Sequence, residues 1–200
     1  MAARPLLSVE GLSIAFGSAK VVSDVSFAVR PGETLALVGE SGSGKTLTGK
    51  ALLGILPKGA HVSGGGAWLD DGAERCDLLA LTEAQLRRVR GGRVAMIFQE
   101  PMSSLSPLHT LGSQVMEALR LHDSCGAEAA RDRCLETFAE VGFPDPERAF
   151  TAYPFELSGG LRQRGMIAMA MVCRPSLLIA DEPTTALDVT TQATVLDLIR

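Results

Sequence analysis

The 200-residue chain carries no excess of positive charge. Its 19 Lys and Arg against 23 Asp and Glu leave a formal net charge of −4. No basic stripe is available to neutralise a phosphate backbone, which argues against a primary nucleic-acid binder. The densest basic cluster, Arg87, Arg88, Arg90 and Arg93, reads first as a solvated helix face. No apolar run reaches membrane-spanning length, so a membrane role would come through a partner. Met1-Ala2-Ala3-Arg4-Pro5 has no apolar core of a signal peptide. The four cysteines at 76, 125, 134 and 173 lack metal-ligand spacing, and His61, His109 and His122 form no ligand cluster. The thiols are expected to be reduced, cytosolic and mostly small hydrophobes. Repeats and low-complexity tracts are absent.

What is present is a phosphate-binding loop. Residues 39–46 read Gly-Glu-Ser-Gly-Ser-Gly-Lys-Thr. Gly39 and Gly44 let the backbone turn where a side chain would clash, and the N–H groups of the loop, Glu40, Ser41, Gly42 and Ser43 included, would point inward and cradle phosphate oxygens. Lys45 supplies a charge for β- and γ-phosphates, and the Thr46 hydroxyl can ligate Mg²⁺. A full match by chance in a chain of this length is expected on the order of one time in a hundred. The flanks suit the motif. Thr34-Leu35-Ala36-Leu37-Val38 has the length of a buried strand, and Leu47 to Leu56 reads as a helix.

Further along, Leu12, Ile14 and Phe16 share one face of a strand, and Val25, Phe27 and Val29 one face of another, with Pro31-Gly32 turning towards the loop. These predict an antiparallel β-layer on an α/β core. The Gly64-Gly65-Gly66 run reads as punctuation before a short strand, Ala67-Trp68-Leu69, closed by Asp71-Gly72. Thr82 to Gln85 matches a capping box. Val94 to Phe98 is a second buried-strand candidate. From about Pro101 to Glu156 the chain reads as helical, with Val115, Met116 and Leu119 on one helix and Ala130, Cys134 and Phe138 on another that stops at Gly142. The core resumes with a helix over 160–173. Leu177 to Ala180 is a third buried strand, and a last helix is expected from Asp188.

Several later positions then gain meaning from the loop. Asp181 follows the third strand, where a carboxylate can hold Mg²⁺. Glu182 beside it can act as general base towards water. Gln99 follows another strand and can contact the metal or the water, or satisfy backbone groups; both readings stay open. Ser158, Gly159 and Gly160 open a helix and offer a hydroxyl, free N–H groups and a helix dipole to a second phosphate contact.

These motifs, in this order, resemble the nucleotide-binding domain of ATP-binding cassette (ABC) transporters. The finer resemblance is to ATP-binding subunits of dipeptide and oligopeptide importers. It rests on 96–108, where Ser106 stands in place of the commoner Asn, and on 174–189. Leu161 replaces a polar residue often found after the signature Leu157-Ser158-Gly159-Gly160. The resemblance implies an α/β P-loop NTPase with a RecA-like core, an N-terminal antiparallel β-subdomain and an inserted α-helical subdomain. Residues 1–100 and 160–200 would form the β-subdomain and core, and 101–159 the helical part.

It also implies ATP and Mg²⁺ as ligands. Phe16 would stack on adenine, although a plain strand-core role stays open. Lys45 and the 39–46 loop would hold phosphates, Thr46, Gln99 and Asp181 the metal, with Glu182 as catalytic glutamate. Ala186-Leu187-Asp188 would form the D-loop. The implied partners are a second cassette, meeting head to tail, and integral-membrane permease subunits, with a solute-binding protein acting indirectly. The implied place is the cytoplasmic face of the cell membrane. Apolar residues near Leu105 and Leu108 are candidates for the permease surface. The switch histidine expected after the D-loop helix has no counterpart, since His122 is the last histidine. A truncated cassette that turns over little is the expectation. A soluble ABC ATPase of translation or DNA repair would carry paired cassettes or a heptad-rich insertion. A P-loop kinase would leave Ser158 to Gly160 and Glu182 unexplained.

Overall fold

Two adjoining antiparallel strands organise the N-terminal half, as their alternating apolar residues require. In the computed structural model, which describes residues 4–72, 74–99 and 104–182, the chain divides into two units, Met1–Arg90 and Gly91–Arg200. The first holds a four-stranded sheet in the order β2-β1-β3-β4, from β1 (Leu7–Phe16), β2 (Ala19–Val29), β3 (Ala60–Leu69) and β4 (Cys76–Asp77). All of its pairings are antiparallel. Helices α1 (Lys45–Leu52) and α2 (Glu83–Val89) belong to the same unit. Leu7, Val9, Leu12, Ile14, Ala67 and Leu69 bury one face of the sheet.

The glycine run 64–66 lies inside β3 and not before it, so β3 is longer than the predicted strand. The reason is a bulge in β1. The β1–β2 register shifts between Val9 and Leu12, and Gly11 takes a φ of 62°. A Cβ on Gly65 would lie 2.5 Å from the Gly11 carbonyl carbon and 2.6 Å from the Glu10 carbonyl oxygen. Only glycine lets the two strands stay paired past that point. Ser26 Oγ accepts from the Gly11 N–H at 2.8 Å and Ser13 Oγ from the Asp24 N–H at 3.0 Å, which covers the amides the bulge leaves out of the ladder.

The expected strand at 34–38 is not a strand of any sheet. Among the described residues nothing pairs with it, and its side chains are open to solvent, Val38 most of all at 92%. Apolar composition alone does not make a strand; its N–H and C=O groups need a neighbour of matching register. The predicted turn before it is present, with the Glu33 N–H donating to the Arg30 carbonyl at 3.1 Å and Gly32 at φ 72°.

The second unit pairs β5 (Val94–Ile97) in parallel with β6 (Leu177–Ala180) and adds helices α3 (Leu111–Arg120), α4 (Ala127–Glu140), α5 (Pro146–Thr151) and α6 (Gly159–Met171). β5 is buried throughout. Phe98, predicted to continue it, lies outside the ladder and is 38% exposed. The helical core brings together Leu111, Val115 and Leu119 from α3, Ala130, Cys134 and Phe138 from α4, and Met166 and Ile167 from α6. This is the face that the sequence spacing selects on α4. Phe138 meets Phe143 edge-to-face at 5.2 Å. α4 stops at Gly142, whose φ of 80° lets the Phe143 N–H reach back to the Phe138 carbonyl at 2.9 Å. Leu105 belongs to this buried core and is not surface; Leu108 is 80% exposed.

Candidate functional site

The loop at 39–46 lies in the first unit. Its residues 39–43 are exposed. Gly42 and Gly44 sit at φ 80° and 93°, where any side chain is strained. A Cβ on Gly39 would come within 2.8 Å of Ser43 Oγ, and one on Gly44 within 2.5 Å of Val22 Cγ2. The Ser43 N–H donates to the Glu40 carbonyl at 3.2 Å and closes the turn. α1 begins directly after Gly44, so its unsatisfied N-terminal amides face the loop. Lys45 lies across the loop, its Nζ donating to the carbonyls of Gly39 at 2.8 Å and Glu40 at 2.9 Å. The ammonium is thereby held over the turn it has to serve. Thr46 is the second residue of α1 and half-buried. A turn that only glycines can form, an ammonium folded over it and a helix start behind it fit the phosphates of a nucleotide.

Phe16 ends β1, paired with Ala19 and Ala60, and is 38% exposed. The small neighbours on both sides leave its ring accessible for stacking.

Gln99, Asp181 and Glu182 lie in the second unit. The parallel register pairs Val94 with Leu177 and Ile97 with Ala180, and the Asp181 N–H extends it to the Ile97 carbonyl at 3.0 Å. Each strand is thus followed, two residues on, by one member of a pair. Gln99 Nε2 donates to Glu182 Oε2 at 2.9 Å, across 83 positions of sequence. Glu182 takes a left-handed φ of 49°. This contact was not anticipated from sequence. Its signal is the equal distance of Gln99 and Glu182 from the ends of two buried runs, which becomes a contact only when the strands pair in this register.

Ser158 caps α6, its hydroxyl accepting from the Leu161 N–H at 3.3 Å. Nothing lies within 4 Å of a Cβ on Gly159, so the first turn of α6 opens outward. Arg162, one turn on, donates to the Pro154 carbonyl at 2.7 Å and ties the signature segment to the 3₁₀ turn Pro154–Glu156. Leu161 is half-buried against the helical core. The D-loop residues 186–188, the expected helix from 188 and part of the 96–108 segment lie outside the described residues.

The basic cluster divides. Arg87 and Arg88 are exposed as expected. Arg90 is not simply solvated: it donates to the carbonyls of Leu53 at 2.6 Å and Gly54 at 3.1 Å and pairs with Glu83 at 2.8 Å. It therefore caps the C-terminal end of α1. Its guanidinium holds the Glu83 carboxyl below the usual range. The four cysteines are free thiols. Burial pushes the Cys134 thiol up to about 11 and raises that of Cys173. Both are inert packing groups, as the sequence suggests. Among the described residues no helix is long and apolar enough to cross a membrane.

The family model for the ABC transporter domain matches residues 22–185. The chain belongs to the ABC transporter family. Among curated relatives it is similar to the peptidoglycan transport ATP-binding protein YejF of Agrobacterium fabrum, 54% identical over 98% of this chain and 36% of that protein. It is also similar to the dipeptide transport ATP-binding protein DppD of Haemophilus influenzae, 48% identical over 97% of this chain and 59% of that protein. The cassette thus spans less than two thirds of the length of the relatives it matches. Among solved structures it is similar to the dimeric bacterial ABC transporter cassette MJ0796, with a TM-score of 0.81 and 25% identity over 96% of this chain and 81% of that one. It is likewise similar to the dimeric post-hydrolysis state of MJ0796 bound to ADP and Pi, with a TM-score of 0.80, the same identity and the same coverage of both chains. The fold is that of an α/β P-loop cassette.

Proposed function

We propose that this cassette binds and hydrolyses ATP to drive the import of peptides or a similar small solute. The observation that carries the reading is the glycine turn at 39–44 with Lys45 folded over it. Such a turn has little structural use except to hold phosphate oxygens. The relatives' names, which speak of peptidoglycan and dipeptide transport, support the solute class.

In this reading the amides of 40–46 and Lys45 grip the β- and γ-phosphates, and Phe16 stacks on the adenine. The oxygen donors Thr46, Asp181 and Gln99 suit a hard cation such as Mg²⁺, which when bound neutralises charge on the transferring phosphate. Glu182 orients a water and accepts its proton. Ser158, Gly159 and Gly160 reach the γ-phosphate of the facing copy in a head-to-tail dimer, to which the dimeric MJ0796 cassette lends support. Residues 101–159 act as the helical subdomain that meets the permease, with Leu108 on its surface, and the cassette works at the cytoplasmic face of the membrane.

Two variants test this. Lys45→Ala removes the charge that meets the phosphates and is expected to abolish ATP binding in equilibrium dialysis. Glu182→Gln keeps the shape and loses the base, so binding persists while turnover falls by ~10²–10⁴. Tight ATP binding by Lys45→Ala, or unaltered turnover by Glu182→Gln, overturns the reading.

A further inference from the structure

The contact between Gln99 and Glu182 joins two residues to which separate duties have been given. We infer that Gln99 is a positioning residue for Glu182, holding the base carboxylate at the ends of β5 and β6 before nucleotide arrives. The inference rests on the ATPase reading above and adds a role that reading does not need.

Three observations carry it. Gln99 follows β5, whose four residues are all buried, so the amide stands on a fixed platform. The register that pairs Ile97 with Ala180 brings residue 99 opposite residue 182, and the Nε2–Oε2 distance of 2.9 Å is that of a good hydrogen bond. Glu182 holds a φ of 49°, a conformation that non-glycine residues keep only where their surroundings enforce it. An exposed glutamate has three rotatable side-chain bonds and samples many rotamers. An amide donor at one carboxylate oxygen removes most of that freedom in advance. The Gln99 carbonyl oxygen is the other end of the same amide. One side chain can therefore offer an oxygen to a metal while its nitrogen holds the base.

The test uses the full polypeptide and has one arm without nucleotide. With ¹⁵N-glutamine labelling, the side-chain amide of Gln99 is identified by its loss in Gln99→Ala. Its resonances are expected to move when Glu182 is replaced by Ala. If Glu182→Ala leaves them in place, the contact does not exist in solution and the inference is overturned, whatever the protein does with ATP. The second arm is kinetic. Gln99→Ala is expected to lower kcat by about tenfold to a hundredfold, the scale of a hydrogen bond to a charged group. Affinity for ATP measured without Mg²⁺ should change less than about twofold on the same reasoning, since the amide is not asked to bind phosphate. In a Glu182→Ala background the same substitution should cost clearly less than it does alone, because the part of its effect that passes through Glu182 is already gone. An undiminished further loss there, or a weakened affinity for magnesium-free ATP in the single variant, means that Gln99 does not act through Glu182. Failure of ATP binding by the unaltered protein would instead strike the functional reading and leave the resonance result standing.

Discussion

Gly112 sits in the first turn of α3 where that helix meets the end of α5. A Cβ placed there would lie 2.4 Å from Phe150 Cγ and Cδ2, and 2.5 Å from the Phe150 carbonyl oxygen. The ring could turn aside, but the carbonyl is backbone and cannot. The neighbouring Leu111 N–H is fastened to the Ala152 carbonyl at 2.8 Å, which ties the two segments together. Gly112→Ala therefore sets two effects against each other. Alanine favours helix over glycine by about 1 kcal/mol at an interior position, and by less near an end. Overpacking costs about 1–3 kcal/mol, and a rigid neighbour pushes it to the upper part of that range. Overpacking wins, with a net loss of about 1–2 kcal/mol and a fall in Tm of roughly 2–8 °C. Gly165→Ala is the paired measurement. The nearest atoms to its Cβ would be the Leu111 methyls, at 2.8 and 3.1 Å, the far end of a side chain that can yield. It sits mid-helix, where the propensity gain is full, so its loss should be the smaller. Differential scanning calorimetry of both variants decides. A higher Tm for Gly112→Ala, or a larger loss for Gly165→Ala, refutes the reasoning.

Arg90→Met removes two caps on α1 and should lower the urea midpoint by an amount equivalent to about 1–2 kcal/mol; Arg90→Lys should restore little, because an ammonium lacks the planar fork that spans both carbonyls. A midpoint unchanged in Arg90→Met would show the caps to be idle. Cys134 makes stability depend on pH at the alkaline end. Its folded thiol holds a proton up to about 11, while an unfolded thiol releases its own near 9.0. Between those values the unfolded chain binds fewer protons, so stability falls as pH rises, by about 2–3 kcal/mol in total. The contribution is fully present below 9. Denaturant titrations at pH 8.5 and 10.5, with Cys134→Val as reference, should show a steeper loss for the unaltered chain; equal losses would dismiss the thiol as the cause.

Much was legible because it depends on neighbours in sequence. The loop at 39–46, the Ser158 cap, the capping box at Thr82 and Gln85 and the stop at Gly142 are local arrangements, set by side chains within a few positions. The buried face of α4 followed from a spacing of four, because one helix turn repeats that often. The glycine run at 64–66 was misread because its purpose lies in another strand, at the bulge of Gly11. Phe98 and Leu105 were misplaced in opposite directions for a related reason: whether an apolar side chain finds a surface to bury it is decided by segments distant in sequence, which left Phe98 exposed and took Leu105 into the helical core.

The sequence by itself determined the chemistry proposed for this cassette, because the proposed phosphate contacts come chiefly from one short loop whose residue types allow few other uses. Tertiary structure alone decided that Gln99 and Glu182 touch, that Arg90 caps a helix 36 positions away and that 34–38 is unpaired among the described residues. Those outcomes depend on strand register and on which backbone groups find a neighbour. Register is a property of two segments together, and neither segment carries it alone.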